Sequence, residues 1–253
     1  MAVNYKEKAR EARRRVLTII HKGQTSHIAS NFSCIDIATV LYEQLGPGDE
    51  VVWSKGWAAA TIYYFLCKQG KLKAEELDKF PRSPYLGLAE VSVPGVLCSG
   101  GAMGHGLPIA AGMALGKKRA GEPGRVFCIM SDGEMQEGTT WESALIAAQN
   151  KIDNLVVLID YNKWCAMGRT KEVADLEPFS DKWRAFGWGA QRIDGHDYEQ
   201  LERALAKTAS GEPQAIICDT IKGKGVSAFE DKILYHYKYV DEETYKKAME
   251  ELA

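Results

Sequence analysis

The chain has 253 residues, 45% of them hydrophobic, with 32 Lys and Arg against 34 Asp and Glu, a formal net charge of −2. That length can bury a sizeable core in one large domain, and the near-neutral balance gives no electrostatic footprint for nucleic acid or an anionic membrane. No charged-then-apolar leader opens the sequence and no run of about 18 apolar residues occurs, so a cytoplasmic protein is the expectation.

Tyr5 to Lys22 reads as an amphipathic helix stopped by Gly23. Its basic stretch "KEKAREARRR" is broken up by glutamates and reads as a solvated face. Ser33 is placed to cap the next helix, with Asp36 at capping-box spacing, and Gly46-Pro47-Gly48 ends it. A third helix is predicted over roughly 57–69, so the first hundred residues read as mostly helical. Four short apolar runs then look like buried strands: "RVFCIM" (125–130), "NLVVLID" (154–160), the weaker "WGAQRID" (188–194) and "QAIICDT" (214–220). Between them, Trp141, Leu145, Ala148 and Ile152 recur at helical spacing, as do Leu201 and Leu205. A last helix begins near Asp241. Strands alternating with helices predict an α/β fold: a central, mostly parallel sheet with helices on both faces, as one domain over 1–253. The six cysteines (34, 67, 98, 128, 165, 218) show no CxxC spacing and read as buried free thiols.

Open parallel sheets bind ligands beyond the C-terminal ends of their strands. Asp132 and Gly133 stand at one such end, and Asp160, Tyr161 and Asn162 at the next, about thirty residues on. One strand–helix–strand crossover brings Asp132 and Asn162 side by side. A carboxylate with an amide oxygen suits a hard cation such as Mg²⁺, and Gly133 lets a backbone N–H approach a phosphate. The plain alternative for each is a strand-to-loop turn; the coincidence at this spacing favours a site.

The segment "SDGEMQEGTTWESALIAAQNKIDNLVVLIDYNK" resembles the thiamine-diphosphate motif, which begins Gly-Asp-Gly and ends about thirty residues later in an asparagine. "EMQEGTTWES" and "IDYNKWCAMG" narrow the resemblance to transketolases, and "SKGWAAATIYYFL", "PGVLCSGGAMGHGLPIAAGMALG" and "DTIKGKGVSAFEDKILYHYK" extend it over most of the chain. It implies a thiamine-diphosphate-binding fold with Mg²⁺ held by Asp132, Asn162 and the main-chain carbonyl of Trp164. It implies that Gly133 meets the diphosphate, that Gly104, His105 and Gly106 line the thiamine pocket, and that Glu137 and Glu142 face a partner. Transketolases carry a pyrimidine-binding domain after this one, and the resemblance runs out at Ala253. The expectation is the N-terminal subunit of a split transketolase, active only with a pyrimidine-domain partner in a heterotetramer.

The same resemblance gives His27 and His236 catalytic roles at the substrate, together with Glu137. Two family histidines are absent: Trp57 takes one place in the cofactor pocket, and Leu88 stands at the other. An indole donates a hydrogen bond but accepts none, and a leucine does neither, which leaves the usual sugar-phosphate donor open to question. The motif also opens with Ser131 instead of glycine. "KGKGVS" (222–227) lacks P-loop spacing and reads as a loop at the diphosphate edge or a solvated turn. The expected activity is transfer of a two-carbon ketol unit to an aldehyde-type acceptor. The alternatives are a thiamine enzyme with a 2-oxo acid donor and a non-catalytic scaffold subunit.

Overall fold

A computed structural model describes residues 3–82, 84, 85, 87–206 and 211–253. Its centre is one sheet of five strands: β1 (Glu50–Trp53), β2 (Val126–Ser131), β3 (Leu155–Tyr161), β4 (Gly189–Asp194) and β5 (Gln214–Asp219). The order is β1-β2-β3-β5-β4, and every neighbouring pair is parallel. The helices are α1 (Tyr5–Gly23), α2 (Ile28–Ser33), α3 (Ile35–Gln44), α4 (Ala59–Lys68), α5 (Gly106–Ala120), α6 (Gly138–Gln149), α7 (Thr170–Val173), α8 (Phe179–Ala185), α9 (Tyr198–Ala206), α10 (Leu234–Tyr237) and α11 (Glu242–Glu251).

Successive side chains of a strand point to opposite faces, and the two cores follow from that. Phe127, Ile129, Val156, Leu158 and Ile216 pack with α1, α3 and α4. Val126, Cys128, Leu155, Val157 and Ile217 pack with α5, α6 and α8. β3 lies in the middle of the sheet and is buried at all seven positions, which is why its sequence reads as an unbroken apolar run. β4, the weakest run, is an edge strand and only partly covered.

Several local expectations need correction. The first hundred residues also hold a strand: β1 is only "EVVW", too short for a period-2 pattern to register. The second helix is interrupted at Cys34, and Ser33 ends α2 and caps nothing; its hydroxyl donates to Asp160 Oδ2 at 2.6 Å. Asp36 makes no capping box, because Arg13 grips it with two bonds of 3.0 and 2.6 Å. Arg13 is therefore buried, unlike the solvated face around it. Burial would raise the Asp36 carboxyl, but the Arg13 guanidinium overrides it and holds it well below the usual range.

His196 completes this network. Its Nε2 accepts the Ile221 N–H at 2.9 Å, so Nδ1 carries the proton and donates to Asp36 Oδ2 at 2.7 Å. His21 stacks on Tyr245 at 4.2 Å and reaches the Val240 carbonyl through Nδ1 at 2.8 Å. All six cysteines are free, and five are buried. Burial pushes the Cys34 thiol up to about 12 and raises Cys128 and Cys218 as well. Among the described residues no helix is long and apolar enough to cross a membrane.

Candidate functional site

β2 and β3 pair with Ser131 opposite Asp160, so the residues that follow them share one edge of the sheet. β2 runs into a turn of 3₁₀ helix, Asp132–Gln136. Ser131 and Glu134 form a capping box across its start, with Glu134 Oε2 accepting the Ser131 N–H at 2.8 Å. A serine at this position thus has a local job that glycine would not do. The turn drives the Asp132 carboxylate inward, where it is fully buried. Its Oδ2 accepts the Lys163 N–H at 2.7 Å and its Oδ1 the Gly133 N–H at 3.0 Å.

Asn162 follows β3. Its Oδ1 accepts the Trp164 N–H at 3.1 Å, and its Nδ2 donates to Asp160 Oδ2 at 3.2 Å. Trp164 is fixed by its Nε1 bond to Asp231 at 2.8 Å and by the Arg169 guanidinium 3.8 Å above its ring.

A second buried carboxylate, Asp160, lies beneath. It accepts from Lys55, Ser33, Thr220 and Asn162. Burial would raise it, but the Lys55 ammonium and these donors keep it low. Lys55 is thereby matched with an anion. Lys222 is equally buried and bonds Ser30 Oγ at 3.2 Å; among the described residues no carboxylate pairs with it. Burial, and then Lys55, push Lys222 down to about 8. Burial, and then Asp160, push Asp132 up to about 7.

Ser30, Lys55, Gly133, Asn162, Trp164 and Lys222 line one cleft, while the fully buried Asp132 and Asp160 lie just behind its lining. Its far wall is aromatic. The His27 ring stacks on Trp57 at 4.4 Å and 14°, and His236 is tilted against His27 at 4.7 Å. Burial, and then the nearby lysine charges, push His27 down to about 4. Burial, and then Lys222 and His27, push His236 down to about 3. Both are neutral at pH 7. His236 Nδ1 is sealed from solvent without a hydrogen-bond partner.

Other expected residues lie outside the lining. A Cβ on Gly104, at φ +77°, would meet Glu137 Cβ at 2.8 Å, and one on Gly106 would meet Ser54 Cβ at 2.3 Å. These glycines let the turn before α5 close onto the Asp132 turn and onto Ser54. His105 is exposed at the start of α5, Glu137 stands at the start of α6, and Glu142 is on the exposed face of α6. Leu88 packs by Gly101, outside the cleft lining, and its carbonyl accepts from Tyr63 at 2.6 Å. Lys55 and Ser30 were not singled out from the sequence, Asp160 was noted only as standing at a strand end, and Lys222 only as part of the loop 222–227. The available signal was a charge at the end of an apolar strand and a lysine set between glycine-rich turns.

The donor set fits a hard cation bridged to an anion. Among the described residues Asp132 is a buried carboxylate paired with no cation, Asn162 adds an amide oxygen, and Lys222 is a buried cation paired with no carboxylate. Residues 5–252 match the family model described as "Transketolase, thiamine diphosphate binding domain". The chain belongs to the transketolase family. It is 35% identical over 265 residues to the 6-deoxy-6-sulfo-D-fructose transketolase subunit SqwG of a Clostridium species, covering 99% of this chain and 96% of that one. It is 32% identical over 255 residues to an apulose-4-phosphate transketolase subunit of Phocaeicola vulgatus, covering 95% and 91%. Among solved structures it superposes on a transketolase from Campylobacter jejuni with a TM-score of 0.92 at 28% identity, and it spans 43% of that longer chain. In this transketolase family the chain is an N-terminal-type, thiamine-diphosphate-binding subunit.

Proposed function

We propose that this chain, as one diphosphate-binding domain, provides half of a transketolase active site and works with a second, pyrimidine-binding polypeptide. Bound there, thiamine diphosphate supplies the chemistry that breaks a carbon–carbon bond beside a carbonyl and carries the two-carbon ketol to an aldehyde. Asp132, Asn162 and the Trp164 carbonyl hold Mg²⁺. Lys222 and Ser30 meet the diphosphate, with Gly133 beside them. Neutral His27 and His236 stand at the substrate end, each able to hold or pass a proton between hydroxyl and carbonyl oxygens. The water-poor floor built on Asp160 and Lys55 keeps these groups in place.

The observation that carries this reading is the buried Asp132 carboxylate, paired with no cation among the described residues, set between Ser131 and Gly133 in the wall of a cleft that also holds Asn162 and Lys222. The partner is supported by the word "subunit" in the names of the similar transketolases and by an uncovered apolar face. On that face Leu145 and Ile146 of α6 are 56% and 57% exposed, and α6 packs against α5. Two copies of each chain would give a symmetric heterotetramer.

The test is reconstitution with the candidate partner, followed by titration of thiamine diphosphate with and without Mg²⁺ and an assay with hydroxypyruvate and glycolaldehyde. Metal-dependent cofactor binding and partner-dependent ketol transfer are expected. Full turnover by this chain alone would contradict the reading. Binding without turnover would point to a scaffold role.

A further inference from the structure

The loop that carries Lys222 to the cleft follows β5 and is held from outside the cleft. The Ile221 N–H donates to His196 Nε2 at 2.9 Å, and the Lys224 carbonyl accepts from Arg13 Nε at 2.8 Å. These bonds grip the backbone on either side of Lys222. Both anchors converge on one carboxylate. Asp36 accepts from Nδ1 of His196 at 2.7 Å and from both terminal nitrogens of Arg13 at 3.0 and 2.6 Å, and the Tyr198 hydroxyl donates to its Oδ1 at 2.9 Å. A Cβ on Gly225 would meet Arg13 Cδ and Nε at 2.9 Å, so the loop packs directly on the Arg13 side chain.

Arg13, Asp36 and His196 all stand outside the cleft lining. Asp36 is 2% exposed and the His196 side chain 13%. Arg13 alone would balance the charge of Asp36, and joining α1 to α3 needs nothing more. His196 adds something else: an acceptor aimed at the peptide that leads into Lys222. Its orientation follows from Asp36, which accepts from the proton-bearing Nδ1 and leaves Nε2 free to accept in turn. A long lysine side chain magnifies any tilt of its backbone, so the ammonium keeps its aim only if the loop is fixed. The Lys222 ammonium bonds Ser30 of α2 at 3.2 Å, and the Gly223 N–H donates to the Ala29 carbonyl of the same helix at 3.0 Å. The loop is thus tied to α2 as well as to the Asp36 network.

We infer that His196 is a positioning residue: oriented by Asp36, it fixes the loop so that the Lys222 ammonium is aimed at the cofactor's diphosphate. This inference rests on the diphosphate role given to Lys222 above, and the experiment separates the two.

The reconstituted complex is titrated calorimetrically with thiamine diphosphate in the presence of Mg²⁺, and separately with thiamine. His196→Phe, which keeps a ring but loses the acceptor, should weaken thiamine diphosphate about three- to tenfold and leave thiamine unchanged. His196→Gln, whose amide oxygen can accept the Ile221 N–H, should recover much of the loss. In a Lys222→Met background the effect of His196→Phe should vanish, because the ammonium that it aims is gone. Gly225→Ala, which pushes the loop off Arg13, should behave like His196→Phe and guards against a His196 variant that fails to fold. Undiminished affinity in the folded variants would overturn the inference. So would a loss of the same size in the Lys222→Met background, or an equal loss for thiamine. If Lys222→Met itself left thiamine diphosphate binding unchanged, the diphosphate role of Lys222 would fall and the inference with it. If Lys222→Met weakened binding and His196→Phe did not, that role would stand and only the inference would fall.

Discussion

Lys55 and Asp160 form an ion pair directly beneath the cleft, with both side chains almost wholly out of solvent. The pair ties the end of β3 to the start of the turn before α4, and Ser33 and Thr220 complete the carboxylate's bonds. Removing one partner strands the other in a medium that does not solvate it. Asp160→Ala should therefore cost roughly 3–5 kcal/mol, a fall in Tm on the order of 10 °C for a domain of this size. Thermal unfolding of the purified chain measures this, and a fall of only a degree or two would show that Lys55 finds another anion.

Asp132 presents the opposite case, a buried carboxylate paired with no cation among the described residues. Burial and Asp160 raise its carboxyl from 3.8 to about 7. A raised folded-state value means that stability is full below the unfolded value and is lost as pH rises through 7. Asp132→Asn, which has no charge to bury, should stabilise the cofactor-free chain by a few °C at pH 8 and by little at pH 4. The same change should abolish Mg²⁺-dependent binding of thiamine diphosphate, read by calorimetric titration. A destabilised variant at pH 8, or retained metal-dependent binding, would contradict this.

Lys222 is the one buried cation of the cleft floor that no carboxylate of the described chain neutralises. If it meets the diphosphate, Lys222→Met should weaken thiamine diphosphate about ten- to a hundredfold, as expected for loss of a charge-assisted bond. Thiamine itself, which lacks the diphosphate, should bind wild type and variant equally well. Equal weakening of both ligands would mean that the substitution had deformed the cleft.

His27 and His236 set the behaviour in acid. Their folded-state values of about 4 and about 3 lie below the ordinary 6.5, so the unfolded chain binds more protons than the folded one in mild acid. Their contribution to stability is full above pH 6.5 and declines as pH falls through 4 and 3. The Tm of the cofactor-free chain should fall across this window, and His236→Phe should flatten the fall. Identical slopes for wild type and variant would show that other groups govern the transition.

The exposed pair on α6 gives a test of assembly. Leu145→Glu with Ile146→Lys should leave the monomer folded, because both side chains already face solvent. It should prevent formation of the complex with the partner polypeptide, as judged by sedimentation velocity. Undiminished assembly would place the interface elsewhere.

The sequence made the sheet legible wherever strands were buried on both faces, since β2, β3 and β5 are unbroken apolar runs between turn residues. It hid β1, whose four residues carry no period, and it suggested a cap at Ser33 because spacing alone says nothing of where a hydroxyl points. Asp132 and Asn162 were legible because strand ends in a parallel sheet must share an edge. The pairing of Lys55 with Asp160 was not, because it spans 105 positions of the sequence. The glycines of the turn before α5 stand out in the sequence, yet the structure sets Gly104 and Gly106 against neighbouring side chains, outside the cleft lining.

Asp132 and Asn162 follow β2 and β3, the second and third strands of the sheet order, and β3 is buried along its whole length. Amides in such strands open to solvent only when most of the molecule opens with them. In hydrogen exchange these two strands should be the slowest part of the chain. The exposed rim at Tyr237 and Tyr239, tied to the Ala166 edge of the cleft by the Tyr237 hydroxyl, should exchange early. The floor is then already assembled before anything enters. Ligand arrival becomes a question of how often the rim breathes, and its rate can change through rim residues alone while the affinity written into the strand ends stays as it was.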